Sequence, residues 1–254
     1  GQASAMIATP LLTLLLATPL DGVTVFAGDQ PEPFQATVID TLPQGIGPRV
    51  PMILVRLSGK RIEHTGVIAG MSGSPVYRDG KLVGAVGYRI GSFSKEPIAG
   101  VTPIEAMRQA GVGQARAARP GSNLTSVQLP LVTSGLDAAV SGPLVTDLNQ
   151  LTAVDLKPVA GGGMAGGKAP TALVNGGAIA VVLAHGDINL FALGTVTEVN
   201  NNQFLGFGHP MFGWGQSAIP VATAWVSTTI ASPLNALKVG RLVQLVGTMS
   251  QDRL

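Results

Sequence analysis

The stretch Gly66–Tyr77, GVIAGMSGSPVY, runs straight into RDGKLVGAVGY at residues 78–88, and it sets a serine inside a glycine turn between two β-patterned runs. Ser72 lies in Gly70-Met71-Ser72-Gly73-Ser74-Pro75. Glycine on either side permits a sharp reversal that other residues resist. In such a turn the N–H groups of Gly70 and Ser72 can converge on one point, so that a nucleophile and an oxyanion hole form one element. Ser74 is the weaker nucleophile, because Pro75 follows it and its hydroxyl can bond the turn. Asp79-Gly80, between the next two apolar runs, is a two-residue hairpin signal, and that hairpin would give the serine turn a rigid support.

A serine hydroxyl attacks a carbonyl only when a base takes its proton. The chain offers three histidines, His64, His185 and His209. His209 closes the apolar run Gln203-Phe-Leu-Gly-Phe-Gly-His209-Pro-Met-Phe, with glycines at 206 and 208. A lone histidine ending a strand is often only structural, but its pairing with the serine turn favours the role of base. A third group should orient the imidazole. Asp252 in Met249-Ser-Gln-Asp252-Arg is the first candidate, and Asp187 in His185-Gly-Asp-Ile is the second. Either aspartate can also be a solvated turn residue, and a Ser-His dyad with a polar orienter stays open beside them.

The order Gly-x-Ser-Gly-x-Pro resembles the nucleophile turn of trypsin-like serine proteases, and the longer stretch resembles the SpoIVB peptidase family. The segment around His209 is similar to the Gly-His element of the same family. Further likeness lies in VTVFAGD (23–29), LVRLSG (54–59), EPIAGVTPIEAM (96–107), FGHP (207–210) and SQDR (250–253), which match a branch with serine before histidine. In sporulation peptidases and trypsin the histidine comes first, so the resemblance implies two β-barrel-like lobes of trypsin-like type in permuted order. It implies a serine endopeptidase acting on a protein or peptide. In the family the acid lies shortly before the serine turn, whereas Val55–Glu63 offers Ser58 near that place and no aspartate. That departure, with the inverted order, keeps an alternative open: an inactive binding or structural envelope protein on the same scaffold.

Composition points to a mostly β protein with few short helices. Charged residues make up only 12% of the chain while Gly 34 and Pro 18 supply many turns, a balance that suits short strands rather than long amphipathic helices. The net charge of +2 comes from scattered residues, and aromatics at 4% leave few stacking platforms, so no nucleic-acid surface is expected. Zero cysteines exclude disulfides and thiol catalysis. Three dispersed histidines and no acidic cluster imply no metal, and no other cofactor is expected. The apolar run Met6–Leu20 has the length of a signal h-region and is too short for a membrane span, so an exported, periplasmic or envelope-associated protein is expected. Prolines at 10 and 19 leave a buried strand pair as the other reading of that run.

Four segments follow from the patterning. Residues 1–22 are signal-like or unassigned, 23–110 form a serine-bearing β lobe, 111–176 a linker and Gly/Ala-rich insert, and 177–254 a histidine-bearing β lobe. The chain opens on Gly rather than Met and the family-like pattern is expected to continue past Leu254, which reads as a fragment cut at both ends. Strands are expected at 23–26, 34–42, 52–57, 67–69, 75–77 and 81–88, then at 178–184, 190–199, 203–207, 217–228 and 242–249. Thr102-Pro103-Ile-Glu105 predicts a capped helix ending near Gly111. Ile98–Pro103 could offer an edge strand to a substrate. Gly162, Gly167 and Lys168 have phosphate-loop spacing, but Ala169 stands where a magnesium-binding hydroxyl belongs, so a linker is the better reading.

Overall fold

Alternating burial in the first part of the chain builds a closed ring of strands. The structure is a computed structural model that describes residues 19–91, 95–112, 124–162, 170–232 and 235–253. The ring uses β1 (Leu20–Thr24), β2 (Glu32–Gly47), β3 (Val50–Ser58), β4 (Pro75–Arg78), β5 (Lys81–Ile90) and β6 (Ile98–Pro103), in the order β4-β1-β2-β3-β6-β5, and a β4–β5 pairing closes it. Every pairing in the ring is antiparallel. Phe26, Phe34, Leu57, Ile62, Ile68 and Met71 belong to the core cluster at this barrel. Full burial of each such side chain is worth about 1.5–3 kcal/mol. The hairpin at Asp79-Gly80 forms as expected, with φ of 50° and 74° at its two turn residues, the left-handed geometry that suits the twist of the flanking strands.

A second sheet docks on the barrel. It runs β14 (Leu237–Asp252), β13 (Gly215–Ile230), β10 (Ala178–Ala184), β11 (Asn189–Asn200), β8 (Leu129–Ser134) and β9 (Leu156–Ala160), with β12 (Gln203–Gly206) attached to β11. The protein is therefore mostly β, a six-stranded antiparallel barrel plus a second sheet. Three helices occur among the described residues: α1 (Lys60–Thr65), α2 (Ile104–Gly111) and α3 (Ala138–Leu151). β7 (Leu124–Ser126) extends the barrel by pairing with β5. Main-chain bonds join the two sheets directly: Gly28 and Val226 exchange N–H···O bonds of 2.7 and 2.9 Å, and the Ala69 N–H donates to Ala236 O at 2.8 Å.

Several expectations change in the folded chain. Residues 127–160, expected as part of a patternless insert, supply β8, α3 and β9 to the second sheet. β9 pairs parallel to β8, so the crossing helix had to lie between them. Residues 67–69 are no strand; a single parallel bridge, Ala69 to Leu237, is all the pairing they make. Ile98–Pro103 is not an edge, since β3 and β5 flank it on both sides. Thr102 does not cap α2, because its Oγ1 donates to Gly208 O at 2.6 Å instead. Gly167 and Lys168 lie outside the described residues, as does nearly all of the signal-like run.

Candidate active site

The serine turn is a short irregular segment welded to β5. Gly70 and Gly73 take φ of 90° and 92°, values that residues with a Cβ rarely hold. The Gly73 N–H donates to Val86 O at 2.7 Å, and the Ser74 N–H and Oγ both donate to Met71 O, at 3.0 and 2.6 Å. Ser74 is thereby committed to the turn. Strand β11 reads the other side of it. The Thr195 N–H donates to Ser72 O at 2.9 Å, Thr195 Oγ1 to Gly70 O at 3.0 Å, and Thr197 Oγ1 to Gly73 O at 2.7 Å. A Cβ on Gly73 would lie 2.0 Å from Thr195 O and 2.4 Å from Phe207 N. The turn and the histidine-bearing segment therefore meet with no side chain between them.

That segment turns on two consecutive left-handed residues, Phe207 at φ 63° and Gly208 at φ 70°. A bulky residue in this region is strained. The Phe207 ring packs where a Gly194 side chain would stand, and Gly208 O receives the Thr102 hydroxyl. His209 is 4% exposed, and its Nδ1 is 3.0 Å from Pro210 O. A carbonyl can only accept, so Nδ1 carries the proton, and the neutral ring keeps its lone pair on Nε2. Burial pushes the His209 pKa below its ordinary value, against weaker opposing effects from the Pro210 carbonyl, the Asp252 charge and the Val127 backbone. The neutral ring is the form the fold favours, and acid works against the folded state by charging it.

Ser72 is fully buried. Its Oγ and His209 Nε2 are both buried atoms with no hydrogen-bond partner, and no hydrogen bond joins them in this conformation. Tyr88 OH shares that condition, and the Tyr88 ring stands edge-on to the imidazole at 6.3 Å between centroids. Burial pushes the Tyr88 phenol pKa up, which keeps it a neutral donor. Buried polar atoms without partners are uncommon in folded proteins, so three at one junction mark it as more than packing. His64 and His185 are exposed, and His185 is engaged with Asn189 at 2.9 Å.

Three residues expected at the site have other surroundings. Asp252 makes no hydrogen bond to the imidazole. Its carboxylate accepts the N–H groups of Met211, Phe212 and Gly213 at 2.7, 2.8 and 3.0 Å, and so clamps the loop just after His209. Asp187 is exposed in a bend. The Gly70 N–H, expected in an oxyanion hole, donates to Gln128 O at 2.9 Å. Among the described residues the Ser72 N–H meets no acceptor. Asp252→Ala is expected to strand three amides and to cost about 3 kcal/mol or more, lowering the melting temperature and turnover together. A thermal melt matching the wild type would show that the clamp carries no stability.

Lys238, fully buried at the same junction, escaped the sequence reading. The signal was period-two burial: Leu242, Gly240, Lys238 and Ala236 share one face of β14 and its approach. Starting that strand at residue 242 hid the lysine. Tyr88 and Thr195 lie inside expected strands, where nothing local sets them apart from strand interior. Among the described residues no three His, Cys, Asp or Glu side chains group as a metal site, and no helix is long and apolar enough to cross a membrane.

Comparison with known proteins gives one family. Residues 18–107 match the family model described as SpoIVB peptidase S55, a span that contains Ser72 and ends before His209. No curated protein and no solved structure gives a significant match.

Proposed function

We infer that this chain is a serine endopeptidase whose nucleophile is Ser72 and whose general base is His209; the SpoIVB peptidase S55 match over residues 18–107 supports a serine-type peptidase, a hydrolase. The observation that carries this reading is the pair of buried, unpartnered atoms: a hydroxyl that can donate and an Nε2 lone pair that can accept. They sit on segments in direct contact through Gly73 and Phe207. Ser72 Oγ attacks a peptide carbonyl carbon, its proton passes to His209 Nε2, and the same proton goes to the leaving amine; water then cleaves the acyl-enzyme. The Pro210 carbonyl, on Nδ1–H, takes the orienting place that an aspartate holds in a triad. The Ser72 N–H is one oxyanion donor, and the Gly70 N–H becomes the second when the Gln128 carbonyl leaves it.

Both reacting atoms are buried, so a polypeptide reaches them only when the sheets part locally at their junction. The substrate class that goes with the family is protein. An exported, envelope-associated location belongs to the same proposal. The deciding experiment treats the full chain with a fluorophosphonate and maps the adduct by mass spectrometry. A phosphonyl group on Ser72 is the expected result. An adduct on Ser74 alone, or none on folded protein, overturns the assignment.

A further inference from the structure

Lys238 lies on β14 where the two sheets meet, and it is 0% exposed. Its Nζ is 2.8 Å from Thr24 Oγ1 on β1 and 3.3 Å from Thr195 Oγ1 on β11. The Thr195 hydroxyl proton is committed to Gly70 O at 3.0 Å, so the Thr195 oxygen must accept from the lysine. The peptide N–H of Thr195 holds Ser72 O at 2.9 Å. One short relay therefore runs from the amine through Thr195 to both the glycine and the serine of the turn. The lysine stem and backbone touch the same segment: a Cβ on Gly70 would lie 3.3 Å from Lys238 Cδ, and the Lys238 N–H donates to Ala69 O at 3.1 Å.

The amine has no counter-charge. Among the described residues the ion pairs lie elsewhere, and what faces Nζ is a hydroxyl from β1 and a hydroxyl from β11, with the uncharged Gly70 beside the stem. A buried charge without a partner is costly. An ammonium brings three donors to two hydroxyl oxygens, whereas a neutral amine brings two donors and a lone pair that the Thr24 hydroxyl can meet. Burial alone brings the Lys238 pKa down to about 7.

We propose that Lys238 is a positioning residue for the nucleophile: as an uncharged amine it holds Thr195, and Thr195 holds the carbonyls of Gly70 and Ser72 in the geometry that chemistry needs. This rests on the reading of Ser72 as nucleophile. Protonation in acid turns the relay into a buried charge, which draws in water or loosens the sheet junction, and the serine turn loses its support. The site then has an acid limit set by the lysine that lies above the limit set by His209, whose own pKa is held below the usual imidazole value. Sequence gives no hint of this, because the lysine sits far from Ser72 in the chain.

The test is the rate of fluorophosphonate labelling of the full chain against pH, for wild type, Lys238→Met, Thr195→Val, Thr195→Ser and Ser72→Ala. Wild type should lose rate below about pH 7, approaching tenfold per pH unit. Lys238→Met should label about tenfold more slowly on the plateau, with its acid limb moved below about pH 6.5, the ordinary imidazole value. Thr195→Val should share the slower plateau, and Thr195→Ser, which keeps the hydroxyl, should stay within about threefold of wild type. An acid limb unmoved in Lys238→Met, with labelling still dependent on Ser72, overturns the role of Lys238 alone. Labelling that persists in Ser72→Ala overturns the nucleophile and this proposal with it. If Lys238→Met fails to fold by circular dichroism, the threonine pair decides, and equal rates for Thr195→Val and Thr195→Ser reject the relay.

Discussion

Ser72→Ala is expected to lower peptidase activity by about a thousandfold or more, His209→Ala by a similar factor, and the double variant by no more than either alone. The non-additivity is the informative part. A hydroxyl and an imidazole that act as one unit are both lost when either is removed, because a base without its nucleophile contributes nothing. What survives comes from binding and from backbone donors around the turn. Ser72→Ala breaks no hydrogen bond of the resting structure, since the Ser72 hydroxyl has no partner, while His209→Ala gives up only the bond from Nδ1–H to Pro210 O. Folding should therefore be spared while turnover collapses, and a melt recorded beside an assay on an unfolded protein substrate checks both. Full activity in either single variant would reject the pair.

Gly73→Ala is the second large effect, and it acts through the fold. The added methyl carbon would sit 2.0 Å from Thr195 O and 2.4 Å from Phe207 N. Both neighbours are backbone, so no side chain can swing away. The residue also holds φ of 92°. A cost of about 4 kcal/mol or more is expected, enough to separate the sheets at the serine turn and to abolish activity. Gly80→Ala is the internal control. Gly80 has φ of 74° but nothing within 4 Å of its added carbon, so it should lose only about 1 kcal/mol. Equal unfolding midpoints for the two variants would show that close approach of the sheets at Gly73 contributes nothing.

Much of the barrel was legible because its strands carry local marks. The hairpin at Asp79-Gly80 and the alternation through residues 34–38 announce barrel strands from a few neighbours, and in the second sheet the long apolar runs at 178–184 and 190–196 do the same. The serine turn was legible because glycine and proline spell out a backbone shape. Residues 127–160 were not, since β8 and β9 are short and paired parallel around a helix that holds a proline at 143, so no short-range pattern marks their union. The role of the third candidate, Asp252, was not legible for a related reason. An aspartate at position 252 can be seen in the sequence, but whether it faces an imidazole or three amides depends on how the loop 210–213 folds back. Thr102 makes the same point: its position ahead of α2 suits a cap, and the arrival of Gly208 from far along the chain takes its hydroxyl instead.

The bond from the Gly70 N–H to Gln128 O has an energetic corollary for any ligand that needs that donor. The competitor is tethered, so dilution never weakens it, and each incoming carbonyl must displace a group already held at high effective concentration. Measured affinity is then the intrinsic affinity scaled by the fraction of molecules whose tether is released. Gln128 is itself moored to Asp155 by its side chain at 2.5 Å. On the proposed mechanism, a carboxylate that never meets the reacting atoms would thus help set how tightly short peptides bind, and long substrates with contacts elsewhere would suffer that handicap least.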